Sequence, residues 1–447
     1  MTLSTLLRVP DSGLGALAGT SAQSVAIERV VSPGGVEAWL VQDHQIPVVA
    51  VEFAFDGGAE QDPDGKDGLS AFVADLLDEG AGAYDSTEFQ RRLADHAINL
   101  GFLAQTDTFS GGFKTLVETE DEAFELLRLA LTAPRFDDEA VQRIRQGVVS
   151  SLRREQADPH WLARRVFFRE AFADHPYGRS IRGSIGSVAH LNDGDCRDLV
   201  ARQFTRDRLR VAVTGAITPT RLAVALDRMF GGLPATSAMT PVAEVTSVAG
   251  GQTVQVSRTG AQTVLVLGQQ GIKRSDPDWF AATIMNYVLG GGSLGSRLMT
   301  EVREKRGLSY GVHSYLQPFD HGALIVAGGA TANDKAGETL AVMRAEWARM
   351  AEGGISAEEL ADAKTYLTGS FPLQFSSTDA IARLVLQIRR DNLGIDYLRR
   401  RDALIEAVSL ADVARVARRL LDPRTLITVI VGQPKDITPT RIVEAEE

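Results

Sequence analysis

The chain is written twice. The stretch from His190-Leu191-Asn192-Asp193 to Thr214-Gly215 and the stretch from Val408-Ser409-Leu410-Ala411-Asp412 to Val431-Gly432 share one plan. In both, a polar N-cap opens a helix, a basic turn follows, and an apolar strand ends in glycine, at an offset of roughly 217 residues. Such a repeat predicts two tandem α+β domains of about 220 residues each.

The flanking patterns agree. Val25 to Leu40 and Val48 to Phe55 cluster β-formers around Pro33-Gly34-Gly35, and helical patterns follow from Leu69 and over 86–97, 120–133, 137–156 and 160–173. The second half opens with the strand Thr263 to Gly268, has helices over 278–289, 333–351, 356–370 and 410–421, and closes with the strand Leu426 to Gly432. The expected organisation is an extension (1–22), a first α+β domain (23–233), a linker (234–252) rich in Ala, Thr, Ser, Pro and Gly, a second α+β domain (253–436) and a tail (437–447). Each domain should be a mainly antiparallel sheet with helices packed on it.

Lys and Arg total 47 against 58 Asp and Glu, a net charge of -11. With no long basic run to follow a phosphate backbone, nucleic acid and anionic membrane are poor partners. The single Cys196 excludes an intramolecular disulfide and a thiolate zinc cluster. The first thirty residues lack a continuous apolar core after a basic start, and no later stretch approaches eighteen apolar residues. These features predict neither signal peptide nor membrane span, hence a cytoplasmic protein, or a periplasmic one if a signal peptide has been removed.

In the helix after Gly68, Leu69, Phe72, Val73, Leu76 and Leu77 form a buried stripe. The opposite face carries Ala71, Ala74, Asp75 and Asp78, positions where a helix presents metal ligands one turn apart. Methyl groups cannot coordinate zinc, so no metal is expected here. The seven histidines include no helix-spaced pair, although His313 and His321 could approach across a hairpin. The run Gly290-Gly291-Gly292-Ser293 lacks the GK[ST] ending of a phosphate loop, and its glycines are expected to permit close backbone approach. Cys196 has no nucleophile motif around it.

The chain resembles the pitrilysin or insulinase-type zinc peptidases, the family that includes the mitochondrial processing peptidase. The likeness rests on the two repeated halves, Gly68-Leu69 opening the first helix, the loop His175-Pro176-Tyr177-Gly178, and Gly290 to Ser293 running on through Arg303-Glu304-Lys305-Arg306-Gly307-Leu308-Ser309-Tyr310. It implies a half of a clamshell. Active members carry an inverted HxxEH motif on the first helix, and here its places fall on Ala71, Ala74 and Asp75. The third ligand, a Glu, would fall near Ser151, with Glu155 one turn on. All four positions depart from the family pattern, so the chain resembles the subunit type that lacks the zinc motif.

The family's Arg and Tyr, seven positions apart, reach over the zinc site of the opposite half, bind substrate and stabilise the oxyanion. Arg303 and Tyr310 match that spacing, on a helix expected to end at Gly307 and a strand expected over Leu308 to Val312. The resemblance implies an accessory subunit of a heterodimer, with zinc on a homologous partner subunit and unfolded peptides as substrate. The alternatives are a non-catalytic structural subunit and a peptide-binding clamp. On the bland reading, Arg303 pairs with Glu301 or Glu304 and Tyr310 packs in the sheet.

Overall fold

A computed structural model describes residues 25–248 and 250–444. The expected extension at 1–22 lies outside them. Among the described residues the apolar strand patterns form two six-stranded sheets. The first begins with the hairpin Glu28–Val31 and Glu37–Gln42, and continues through Leu209–Gly215, Val48–Asp56 and Thr108–Leu116 to Asn99–Ala104. The second runs Val312–Pro318, Ala323–Ala332, Gln262–Gln270, Ile427–Gly432, Thr253–Ser257 and Arg441–Val443.

The repeat holds at the level of register. Both sheets are mainly antiparallel, and each has a parallel pair at the equivalent place: Glu37–Gln42 with Leu209–Gly215, and Thr253–Ser257 with Ile427–Gly432. Asn192 and Ser409 both close capping boxes, with Asp195 and Asp412 as the reciprocal partners. The strand-ending glycines Gly215 and Gly432 have φ of 135° and 143°. A Cβ at Gly215 would meet the Val48 carbonyl oxygen at 2.2 Å, so only glycine fits where the strand crosses its neighbour.

Helix packing joins the two halves. The helix Pro159–Phe172 belongs to the first half by sequence, yet Leu162, Val166 and Phe167 pack on Val254, Val256, Val429 and Val431 of the second sheet. Its counterpart Thr378–Arg390 does the reverse, setting Ile381 and Val385 on Val41, Ala54 and Ala212 of the first sheet. Arg389 reinforces this contact by donating to the carbonyl oxygens of Glu37 and Val211, each at 2.8 Å. Residues 234–248 and 250–252, without helix or strand, are fastened as they pass: Val245 N–H donates to the His321 carbonyl and Val248 N–H to that of Ala171, both at 2.8 Å.

Two expected helices differ. The one after Gly68 ends at Ala74, with Asp75 as C-cap and a turn up to Gly80, although its apolar stripe from Leu69 to Leu77 is buried as the spacing requires. The one from Asp278 is α-helical over Trp279–Asn286, then widens into a π-turn over Tyr287–Gly291. A Cβ on Gly290 would meet Ser314 N at 2.6 Å, and that close approach is what the glycine run permits.

Because each sheet is covered by a helix from the other half, the halves should unfold together. Phe167→Ala, at a fully buried ring, is expected to cost about 3–5 kcal/mol and to lower one calorimetric transition. Two separated transitions would show that the halves are independent.

Candidate functional site

The corner carrying Arg303 and Tyr310 is braced from below. Arg297 makes a two-pronged ion pair with Glu359, each contact 2.7 Å, tying the start of this segment to the capping box of helix Ala357–Gly369. Leu298, Met299 and Val302 are buried, and the chain winds as a π-helix over Met299–Glu304. Gly307 then turns left-handed at φ 60°, its N–H bonding to the Arg303 carbonyl while Leu308 N–H bonds to that of Val302. The first of these is the 5→1 bond of an αL cap, and the second adds a wider closure over the π-turn.

The strand expected over Leu308 to Val312 begins only at Val312. Side chains hold the intervening residues instead: the Thr331 hydroxyl donates to the Leu308 carbonyl and the Ser309 hydroxyl to the Ala330 carbonyl, both at 2.6 Å. Tyr310 therefore lies on an irregular connection and is 89% exposed, so it does not pack in the sheet. Glu301 is occupied by Lys305 and Arg306, which hold its carboxyl down at about 2. Arg303, exposed, has no ion pair or side-chain hydrogen bond among the described residues. A rigid backbone thus presents two uncommitted hydrogen-bond donors.

On the first-half face, Ala74 is buried in the core and Ala71 is half-buried against it. Helix Asp138–Ala157 packs alongside and brings Ser151, whose hydroxyl donates to Glu155 at 3.3 Å. Arg182, which sequence reasoning missed, sits 3.6 Å from Glu155. Desolvation raises the Asp75 carboxyl, and Arg182 is the charge that opposes the rise. The Arg182 guanidinium thus pairs loosely with Glu155 and offsets part of the rise at Asp75. Its isolated position in the chain gave no signal of that role.

The loop His175 to Gly178 fastens the halves. Tyr177 is buried, and its hydroxyl donates to Asp107 at 2.5 Å while accepting from His321 N–H at 2.9 Å. Asp320 N–H donates to the other Asp107 oxygen at 3.1 Å. His313 and His321 do not meet: the register pairs His313 with Gly328, and His321 lies in the turn at the far end of that strand. Burial, helped by the charges of Asp195 and Asp193, pushes the Cys196 thiol up to about 12 and so disfavours the thiolate form.

The model of the insulinase peptidases, family M16, matches residues 38–184, and the model described as the M16 inactive domain matches residues 190–367. The chain belongs to the M16 family. It is 26% identical over 366 residues to a protein of Helicobacter pylori named "Non-peptidase homolog YmxG", covering 81% of this chain and 83% of that one. An uncharacterised zinc protease of Mycobacterium bovis is 33% identical over 298 residues, covering 64% and 66%. A solved M16 inactive domain from Pseudomonas fluorescens has the same fold, with a TM-score of 0.86 at 22% identity over 93% of this chain and all of that one.

The residues on this M16 chain's first-half face do not fit the family's zinc. Ala71 and Ala74 offer no donor atoms, Ser151 bonds to Glu155, and Arg182 supplies a competing positive charge. Among the described residues no group of three or more His, Cys, Asp or Glu is placed to hold a metal. None of their helices is long and apolar enough to cross a membrane.

Two outcomes are expected. Rebuilding the motif as Ala71→His, Ala74→Glu, Asp75→His and Ser151→Glu should give a zinc affinity at least about tenfold weaker with Arg182 present than with Arg182→Ala added, given like-charge repulsion at short range. Equal affinities in metal titrations would clear Arg182 of any role. Separately, buried Glu60, near Asp107, has its carboxyl lifted to about 8. The folded state therefore holds a proton that the unfolded chain releases near 4.5, and stability falls as pH rises from there towards 8. Glu60→Gln should flatten that slope and gain at least about 1.4 kcal/mol at pH 8, one unit's worth of shift; parallel denaturation profiles for both proteins would refute the assignment.

Proposed function

We propose that this chain is the zinc-free accessory subunit of a heterodimeric M16 peptidase. It closes a clamshell with a homologous zinc-bearing subunit and lends Arg303 and Tyr310 to that subunit's active site. The observation that carries this reading is the braced corner, where Tyr310 is 89% exposed and Arg303 has no ion pair among the described residues, while Glu301, Lys305 and Arg306 pair with one another. A solvated Tyr and a free Arg on a fixed turn are suited to meeting a group supplied from outside the chain.

Peptide-bond hydrolysis places negative charge on the carbonyl oxygen. A phenol O–H and a guanidinium N–H donate to that oxygen most strongly when the charge has developed, so they favour the transition state over the bound substrate. Their fixed backbone limits the reorganisation needed at that moment. The substrate on this reading is an unfolded peptide that fits inside a closed chamber. The name of the Helicobacter pylori relative agrees with a subunit that is not a peptidase by itself.

Mixing the chain with a zinc-bearing M16 protein should produce chelator-sensitive cleavage of a quenched fluorescent peptide that this chain alone lacks. In that mixture Tyr310→Phe should lower kcat by about 100-fold, the scale of losing one oxyanion donor, while KM changes little. Wild-type kcat in the variant would remove Tyr310 from the reaction. A stable complex with no cleavage would instead make the chain a structural subunit.

A further inference from the structure

A second feature lies where the halves meet. A cleft of 460 Å³ opens between them, within the roughly 300–1,000 Å³ range of ligand sites. One crossing helix contributes Trp161, Arg164 and Phe168, the other contributes Arg390, the segment after the Tyr177 loop contributes Arg182, and the second-sheet turn contributes Phe319. In a chain of net charge -11, this wall is basic.

Asp107 is the one carboxylate among the described lining residues, and it is already engaged by the Tyr177 hydroxyl and Asp320 N–H. Of the five lining arginines, Arg165 and Arg179 are engaged, and Arg164, Arg182 and Arg390 are less committed. Arg164 has no acidic partner among the described residues and rests 5.4 Å over the Phe168 ring. Arg182 and Arg390 lie 3.6 and 3.5 Å from their nearest carboxylates, looser than a charge-assisted hydrogen bond of about 2.7–2.9 Å. A guanidinium fork matches a carboxylate in two-pronged geometry, and aromatic rings beside it suit an apolar side chain. The chain's overall negative charge would repel a polyanion at long range, but not a ligand with one carboxylate on a neutral body.

We infer that this cleft binds the carboxylate of an extended, otherwise neutral peptide, with Arg164 as the principal anchor and Arg182 and Arg390 beside it. A C-terminal carboxylate and an Asp or Glu side chain offer the same chemistry. The site needs no partner subunit, so it stands or falls separately from the accessory-subunit reading.

Calorimetric titration of the full chain with acetyl-Ala-Ala-Leu-Phe as free acid, as its amide, and as an amide with an internal Asp distinguishes the sources. The free acid should bind at least tenfold more tightly than the plain amide. Equal strength in the Asp-bearing amide would assign the carboxylate to a side chain at the same site. Arg164→Ala, at an exposed position, should reduce the free acid to the level of the amide, with Arg164→Lys recovering part of the loss. Equal binding of acid and plain amide, no binding of either, or undiminished binding by a folded Arg164→Ala chain would overturn the inference.

Discussion

The exchange of helices between the two halves is the contact on which the rest of the molecule depends. Helix Pro159–Phe172 fills the apolar face of the second sheet, and helix Thr378–Arg390 that of the first. Neither sheet can bury that face with its own half alone. The hydrophobic effect that stabilises each half therefore also fixes their relative position. The Tyr177–Asp107 latch, the contacts of Val245 and Val248, and the basic cleft all lie along this shared boundary.

The first-half face carries two alanines, a carboxylate pair and an arginine. Ala71 and Ala74 offer no donor atoms, and Arg182 supplies positive charge to Glu155 and Asp75. Desolvation alone raises the Asp75 carboxyl, because burial disfavours its charged form. Arg182 offsets part of that cost without bringing reactive chemistry. The same side chain lines the cleft between the halves and adds to its basic character.

The corner at 297–312 separates rigidity from reactivity. Its backbone is held by the Arg297–Glu359 pair, an αL cap at Gly307 and two hydroxyl-to-carbonyl bonds, while the ends of Arg303 and Tyr310 stay in solvent. An 89% exposed tyrosine contributes little to the core. The bracing makes that exposure informative, because few conformations of the backbone remain to be ordered when a ligand arrives.

The sequence by itself determined the local elements and their duplication: capping boxes at Asn192 and Ser409, glycine-ended strands, the buried stripe from Leu69 to Leu77, and the missing donors at Ala71 and Ala74. These follow from periodicity and residue chemistry, which act over a few turns of chain. It also marked Arg303 and Tyr310 through their spacing, but it assigned Tyr310 to a strand, because Leu308 to Val312 has β-forming composition and the hydroxyl contacts of Ser309 and Thr331 are invisible in the chain. Only the tertiary structure decided that two helices cross between the halves, that Tyr177 latches them, and that Arg182 and Arg390, over two hundred residues apart in sequence, line one cleft. An amphipathic stripe states that a helix must be covered; which sheet covers it is set by long-range packing that no local pattern encodes.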